Sequence, residues 1–319
     1  MTKDKVLEFL EFNKGRPVSG QLMAQKLSIS RNAVWKAVRS LRQEGYSISS
    51  ATNSGYMLLP DNDIISEQGI AAAMGEKSAG LVIKYLPSVD STNNEAKRIA
   101  AGKAPGNMLV CAGEQTAGRG RLGREFYSPA DTGIYFSVLI NPPAQAPVGV
   151  GITTAAAVSV VKAIEKLTDK KPLIKWVNDV YLDGKKICGI LSEAVTDVES
   201  GSISSIIVGI GVNISTSEFP QEIESTASSL FAQNVSKNEL IAEIAKGVLD
   251  YCTDFDFSRV REYYKAHCFI LGRKIKYTVR GSVKCAVAED IGESGELIVR
   301  TESGEMQTLA SGEISVRTD

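Results

Sequence analysis

A chain of 319 residues, 43% hydrophobic and 23% charged, is a globular protein long enough for two or three domains. Its five cysteines (Cys111, Cys188, Cys252, Cys268, Cys285) are scattered, odd in number and never spaced Cys-x-x-Cys, which predicts reduced thiols and excludes a disulfide framework or structural zinc. One histidine, His267, excludes a His-rich metal site and leaves acid–base chemistry to other groups, while the formal net charge of -1 hides a basic start: residues 1–60 hold nine Lys or Arg against four Asp or Glu, which fits a polyanionic partner.

Met1-Thr2-Lys3-Asp4-Lys5 runs into an amphipathic pattern rather than an apolar core with a cleavage site, so no secretory signal is expected and the chain should be cytoplasmic. Val6, Leu7, Phe9 and Leu10 recur at helical spacing, with a stop at Asn13-Lys14-Gly15. Ser19 can cap a second short helix carrying Leu22, Met23 and Leu27. After a turn at Ser28-Ile29, Ser30 caps a third, in which Val34, Val38 and Leu41 face inward. Arg31, Asn32, Lys36 and Arg39 then fall on the opposite face. Glu44-Gly45 ends the helix, and Tyr46 to Ala51, Thr52-Asn53-Ser54-Gly55 and Tyr56 to Leu59 read as a hairpin. Three helices and a hairpin over residues 1–60 make a winged helix-turn-helix whose third helix would enter the major groove, with Ser30, Arg31, Asn32, Lys36 and Arg39 as the DNA-facing set. The competing reading is a small helical interaction domain with a solvated face.

Pro60-Asp61-Asn62-Asp63 reads as a linker into a second domain, residues 64–268. Strands are expected at Val82 to Leu86, Met108 to Ala112, Gly133 to Ile140, Ile187 to Val195 and Ile203 to Ile214. Helices are expected at Glu95 to Ala101, Val148 to Leu167 and Lys237 to Cys252. That mixed order predicts an α+β fold with helices packed on one sheet. The apolar stretch Val148 to Ile164 is interrupted by Thr153, Thr154, Ser159 and Lys162, and predicts a buried helix rather than a membrane span, so no membrane partner is expected. Alternation in Lys274 to Val279, Glu296 to Val299 and Glu313 to Arg317 predicts a small β-barrel over residues 269–319.

Two segments carry chemistry. Gly118-Arg119-Gly120-Arg121-Leu122-Gly123-Arg124 packs three guanidinium groups among three glycines, a loop suited to an anion. Its Gly-x-Gly-x-x-Gly also fits a dinucleotide turn, but Glu125-Phe126-Tyr127-Ser128-Pro129 follows where that motif opens a helix. In Lys175-Trp176-Val177-Asn178-Asp179, continuing to Ile190, Asp183-Gly184 is a two-residue hairpin turn. Alternation sends Lys185 and Lys186 to opposite faces, and pattern alone does not choose which enters a site.

With Asp90-Ser91-Thr92-Asn93, Gln115 and Gly209-Ile210-Gly211-Val212-Asn213, these segments resemble the biotin-protein ligase family over nearly the whole chain, and the basic front resembles its bifunctional form, which is also a biotin operon repressor. The resemblance implies an α+β multidomain chain: winged helix-turn-helix, central mixed α/β sheet ligase domain and small SH3-like C-terminal β-barrel. It implies that biotin and MgATP give biotinoyl-5′-adenylate, and that a lysine of a carboxylase's biotin carboxyl carrier domain then takes the biotin. By correspondence, Arg119 and Arg121 of the loop Gly118-Arg119-Gly120-Arg121 lie over biotin and adenylate, with Arg121 at the carboxylate end, and Lys186 bridges carboxylate and α-phosphate, a place where cations offset developing charge. Arg124 and Asn178 fit the triphosphate and Asp179 the Mg²⁺; Ser91, Thr92 and Gln115 suit the ureido ring; Asn93, Phe126, Gly189, Asn213 and Arg317 are assigned to the cofactor region. The chain departs from the family at Phe126, where a tryptophan often lies over adenine, at Val177, often proline, and at Cys188, a small-residue position. Operator DNA and a homodimer of the adenylate-bound form are the implied partners. The rival functions are a DNA-binding biotin sensor without ligase activity, a lipoate ligase, which the arginine loop opposes, and a dehydrogenase.

Overall fold

The computed structural model describes residues 2–51, 55–102, 106–143, 149–197, 202–233, 235–279, 282–310 and 313–316. The hairpin tip Thr52-Asn53-Ser54, the expected helix start at Val148 and Arg317 lie outside them.

The basic front folds as expected. Helices α1 (Thr2–Phe12), α2 (Gly20–Leu27) and α3 (Arg31–Gln43) precede β1 (Ile48–Ala51) and β2 (Gly55–Leu58). Ser19 and Ser30 cap α2 and α3 by accepting from the amides of Leu22 and Ala33 at 3.0 and 3.1 Å, which satisfies one orphan donor in each first turn. Ser28, at φ +54°, turns the chain between them. Val34, Val38 and Leu41 are buried with Val6, Leu10, Met23 and Leu58, a core separate from that of the rest of the chain. The 60–63 segment is pinned rather than loose. Lys14 Nζ donates to the Asn62 carbonyl at 2.6 Å, and Asn62 Oδ1 accepts from the Ser47 amide at 3.1 Å.

The body contains α4 (Glu67–Met74), β3 (Val82–Val89), α5 (Thr92–Ala101), β4 (Met108–Gln115), β5 (Gly133–Ile140), α6 (Val150–Leu167), β6 (Leu173–Lys175), β7 (Asp179–Leu182), β8 (Lys185–Thr196), β9 (Ile203–Asn213), α7 (Gln221–Glu224), α8 (Lys237–Tyr251) and α9 (Ser258–His267). Its strands form one mixed sheet in the order β3-β4-β5-β9-β8-β7-β6, parallel only between β3 and β4. Strand alternation divides the side chains between two faces. Leu109, Cys111, Ile134, Phe136, Val208, Ile210 and Val212 join a large core with α6 and α8. Met108, Val110, Leu139 and Ile207 form a small patch under Ala96 of α5. Helices therefore cover both faces. The second face is covered by α5 only in part, and its uncovered portion holds the candidate site.

The C-terminal strands β10 (Lys274–Val279), β11 (Ser282–Ile291), β12 (Leu297–Thr301), β13 (Met306–Leu309) and β14 (Glu313–Val316) make an antiparallel sheet in the order β13-β12-β11-β10-β14. Ile275, Tyr277, Ala288 and Val299 share the large core of the body. Trp176 is 3% exposed, and its indole N–H donates to the Gly295 carbonyl at 2.9 Å, so the second chemical segment is tied to this sheet. No helix among the described residues is long and apolar enough to cross a membrane. All five cysteines are free, and His267 stacks on Tyr263 at 4.1 Å on α9, a packing role.

Candidate active site

The arginine segment is the tip of a hairpin arm. From β4 the chain runs out and back, with the Gln115 amide bonded to the Ser128 carbonyl at 3.1 Å, Phe126 to Gly118 at 2.9 Å and Gly120 to Arg124 at 2.7 Å. A side chain at Gly118 would bring its Cβ to 2.2 Å from the Phe126 carbonyl oxygen, which explains glycine there. At the tip Leu122 takes a left-handed φ of +56° and is 76% exposed. A single 3₁₀ turn, Arg121–Gly123, follows the glycines instead of a helix, and this removes the dinucleotide-fold reading.

The arm closes over a sheet floor without side chains. Gly189 of β8 pairs with Gly211 of β9, while the neighbouring Ile190, Ile210 and Val212 face the core. Phe126 lies on this floor: a Cβ at Gly211 would stand 2.4 Å from its ring, and one at Gly189 would stand 3.0 Å away. The ring meets Tyr135 edge-on at 6.5 Å.

Around the floor are two adjoining spaces. A cleft of about 140 Å³ is lined by Arg119, Arg121, Arg124, Phe126, Asn178, Asp179 and Lys186 among others. A recess of about 20 Å³ is bounded by Ser91, Thr92, Asn93, Gln115, Arg119 and Phe126, with Gly189, Gly209 and Gly211 beneath. Thr92, the first residue of α5, bonds Gln115. Its amide and hydroxyl lie 2.9 and 3.2 Å from Gln115 Oε1, and Gln115 Nε2 donates to Ser128 Oγ at 2.8 Å. Ser91 is the buried N-cap residue of α5. Asn213 continues the floor strand; its Nδ2 donates to the Ser228 carbonyl at 3.0 Å, and its buried Oδ1 has no hydrogen bond.

The open choice between the two lysines is resolved by a bulge. Val180 pairs with Cys188 but Tyr181 pairs with Lys186, so Ile187 is an extra residue on β8. Strict alternation would group Lys185 with Gly189 on the floor face. The bulge reverses this and turns Lys186 into the cleft, while Lys185 reaches the Glu224 carbonyl at 3.3 Å. Residues 226–228 hold the bulge, with the Lys186 amide donating to Thr226 at 2.8 Å and the Ser228 amide to the Lys186 carbonyl at 2.9 Å. Lys186 Nζ stands 2.8 Å from Asp179 Oδ1, yet that buried oxygen makes no properly directed hydrogen bond. The contact is thus a charge pair with an unused acceptor. Arg121 donates to Asn178 Oδ1 at 3.1 Å, and Asn178 Nδ2 to the Ile190 carbonyl at 2.9 Å. Arg119 donates to Asn94 Oδ1 at 2.9 Å and stands 3.4 Å from Glu193.

The structure thus brings together Ser91, Thr92, Asn93, Gln115, Gly118, Arg119, Gly120, Arg121, Arg124, Phe126, Asn178, Asp179, Lys186, Gly189 and Asn213 at one face of the sheet. Ser137 and Glu193, which no motif marks, belong to the same network; their strand parity was the available signal. Cys188 is fully buried behind the floor, and burial pushes its thiol well above the usual range, which excludes it as a nucleophile. On α3, Arg31, Asn32, Lys36 and Arg39 are exposed. So is Trp35, at 48%, with the Arg39 guanidinium 5.5 Å from its ring centre.

Residues 85–213 match the biotin/lipoate A/B protein ligase family, residues 2–57 an HTH domain and residues 270–317 the biotin protein ligase C-terminal domain. The bifunctional ligase/repressor BirA of Bacillus spizizenii is 31% identical over 296 residues, 90% of each chain. The protein of that name from Escherichia coli is 25% identical, with 94% of this chain and 93% of its own covered. Among solved structures, the biotin protein ligase of Aquifex aeolicus in complex with biotin and ATP superposes with a TM-score of 0.63 at 28% identity, covering 75% of this chain and 99% of that one. The chain belongs to the biotin-protein ligase family. Its leading HTH domain gives it the domain order of the bifunctional ligase/repressors.

Proposed function

We propose that this protein is an ATP-dependent biotin-protein ligase that also represses transcription in response to biotin. The observation that carries the ligase reading is the cleft itself: Lys186, turned inward by the β8 bulge, beside Asp179 and facing an arginine hairpin over a glycine floor.

The first half-reaction joins a carboxylate to the α-phosphorus of a polyanionic nucleotide, so cations must stand where the two negative charges meet. Lys186 and Arg121 do this. As the carboxylate oxygen forms its bond to phosphorus and pyrophosphate leaves, their charge stabilises the crowded anionic transition state more than the separated reactants. Arg121 serves the carboxylate end, Arg119 lies over biotin and the adenylate, and Arg124 and Asn178 meet the phosphates. Thr92, Gln115 and Ser91 supply donors and acceptors for the ureido ring, and the bare floor of Gly189 and Gly211 lets the Phe126 ring lie against the sheet at the edge of the recess. The donor set fits Mg²⁺: Asp179 Oδ1 is buried without a hydrogen bond, and the described residues contain no cluster of three acidic or His/Cys ligands, so Asp179 would hold the ion together with phosphate oxygens. When bound, Mg²⁺ offsets phosphate charge. In the second half-reaction a lysine amine of a carboxylase's biotin carboxyl carrier domain attacks the acyl carbon and AMP leaves, the activity of a biotin-[acetyl-CoA-carboxylase] ligase.

The repressor half rests on α3, whose exposed Arg31, Asn32, Lys36 and Arg39 meet operator DNA, and on a homodimer favoured by the bound adenylate. The domains are taken as 1–60, 64–268 and 269–319. Two measurements test the whole reading. Biotin-dependent exchange of pyrophosphate into ATP is expected from the pure chain, and its absence would leave a DNA-binding biotin sensor. Sedimentation should show dimers only with biotin and ATP present, and indifference to them would contradict the switch.

A further inference from the structure

Glu193 lies on β8 four residues beyond Gly189, hence on the floor face. Its Oε2 accepts from Asn93 Nδ2 at 2.8 Å, and its Oε1 accepts from Lys97 Nζ at 2.7 Å and lies 3.4 Å from Arg119 Nη1. Behind Asn93 the buried Ser137 hydroxyl stands 2.7 Å from Asn93 Oδ1 and 2.8 Å from Thr92 Oγ1, and Thr92 reaches Gln115. One run of polar contacts therefore crosses from Gln115 through Thr92, Ser137 and Asn93 to Glu193, and from Glu193 to the arginine arm. Withdrawal from water raises the Glu193 carboxyl, but Lys97, Asn93 and Arg119 outweigh it and hold the group below its usual range, so it is anionic. Asn94, one residue along α5, accepts from the same Arg119 nitrogen at 2.9 Å. For Arg119, a carboxylate from β8 stands within ion-pair distance. Arg121 instead reaches an amide oxygen.

We propose that Glu193 is a positioning residue: through Arg119 it latches the arginine hairpin down on β8 and α5, and so sets how long a ligand under the hairpin is retained, without touching that ligand. This deepens the ligase reading and rests on it for the ligand, but the latch itself is a property of the free protein. A carboxylate here gains from Lys97 and Asn93 whether or not the hairpin is closed. Its pairing with Arg119 exists only in the closed arrangement, so that contact biases the hairpin's position.

The test compares the full chain with Glu193→Gln, which keeps size and one acceptor oxygen but removes the charge. Limited trypsin digestion without ligands reads the hairpin directly, because Arg119, Arg121 and Arg124 are its cleavage sites. Nicking there should quicken by about tenfold, the equivalent of ~1.4 kcal/mol, with cleavage elsewhere unchanged. With biotin and MgATP, release of the adenylate should quicken by a similar factor and KM for biotin should rise, while kcat at saturation stays within about twofold. In an Arg119→Ala background, Glu193→Gln should add nothing to either readout. Unchanged nicking overturns the latch whatever the chain's activity. Faster nicking with an equal further effect in the Arg119→Ala background also overturns it, because Glu193 would then act through Asn93 alone. Absence of any adenylate from the native chain would instead count against the ligase reading. If Glu193→Gln fails to fold, Glu193→Asp, which keeps the charge but draws it back by one methylene, reads the same contact: faster nicking supports the latch and unchanged nicking overturns it.

Discussion

Asp90 shows what a single side chain near the site contributes before any ligand arrives. Arg98 binds it at 2.6 Å, and that contact, with Asn94 and the Ser91 amide assisting against some burial, holds its carboxyl well below the ordinary carboxylate range. A depressed folded-state pKa stabilises the protein above the unfolded value, about 4 for aspartate, and the contribution is lost as pH falls through the folded value. Asp90→Asn should therefore lower Tm at pH 7 by a few degrees at most, because the pair is exposed, and the gap to the native chain should narrow as pH drops below 4. A gap that widens toward acid would contradict the assignment. The floor makes a sharper claim. A methyl at Gly211 would collide with the Phe126 ring at 2.4 Å, so Gly211→Ala should raise KM for biotin or ATP by about tenfold or more, with little change in Tm. Unaltered kinetics would show that Phe126 can yield at no cost. At this scale much was legible: Thr92, Gln115, Arg119, Arg121 and Lys186 stand in motifs of fixed order. Ser137 and Glu193 were not, because strand parity gives the face each occupies but not the side chains it meets there, which come from α5 and the arginine arm.

Elements were read from the sequence well where periodicity and caps agree. Gly133–Ile140 and Lys274–Val279 fall where alternation set them, and Ser19 and Ser30 cap α2 and α3 by the expected bonds. The coverage of the sheet by α5 on its second face was less visible, since α5 buries only a narrow patch. The bulge at Ile187 could not be read at all. It is set by hydrogen bonds to residues 226–228, forty positions downstream, and it inverts the parity that a strict strand would impose. Its consequence is measurable. Lys186→Ala should cut biotin-dependent pyrophosphate exchange by a factor on the order of 10²–10³, and Lys185→Ala should leave it within about twofold. Equal losses would mean that both lysines serve the site and that the bulge does not choose between them.

Over the whole molecule the sequence order predicts the units, but not how they are fastened. Trp176 looks like part of a chemical motif and is in fact a structural post, its indole bonded to Gly295 of the C-terminal sheet, whose core is continuous with that of the body. Trp176→Phe should keep the packing but strand that carbonyl, costing about 1–3 kcal/mol in urea unfolding. No loss would mean that the sheet is held by the shared core alone. The 60–63 segment, plain in composition, fixes the winged helix through Asn62. These contacts join residues far apart in sequence, which is why composition does not show them. Together these parts activate biotin and hand it to a protein. The most direct measurement is to incubate the chain with biotin, MgATP and a biotin carboxyl carrier domain, and to score acceptor biotinylation for the native protein and for Lys186→Ala. Biotinylated acceptor is expected from the native chain and its collapse in the variant; no biotinylation by the native chain, or undiminished biotinylation by Lys186→Ala, would show that the cleft around Lys186 does not carry this chemistry.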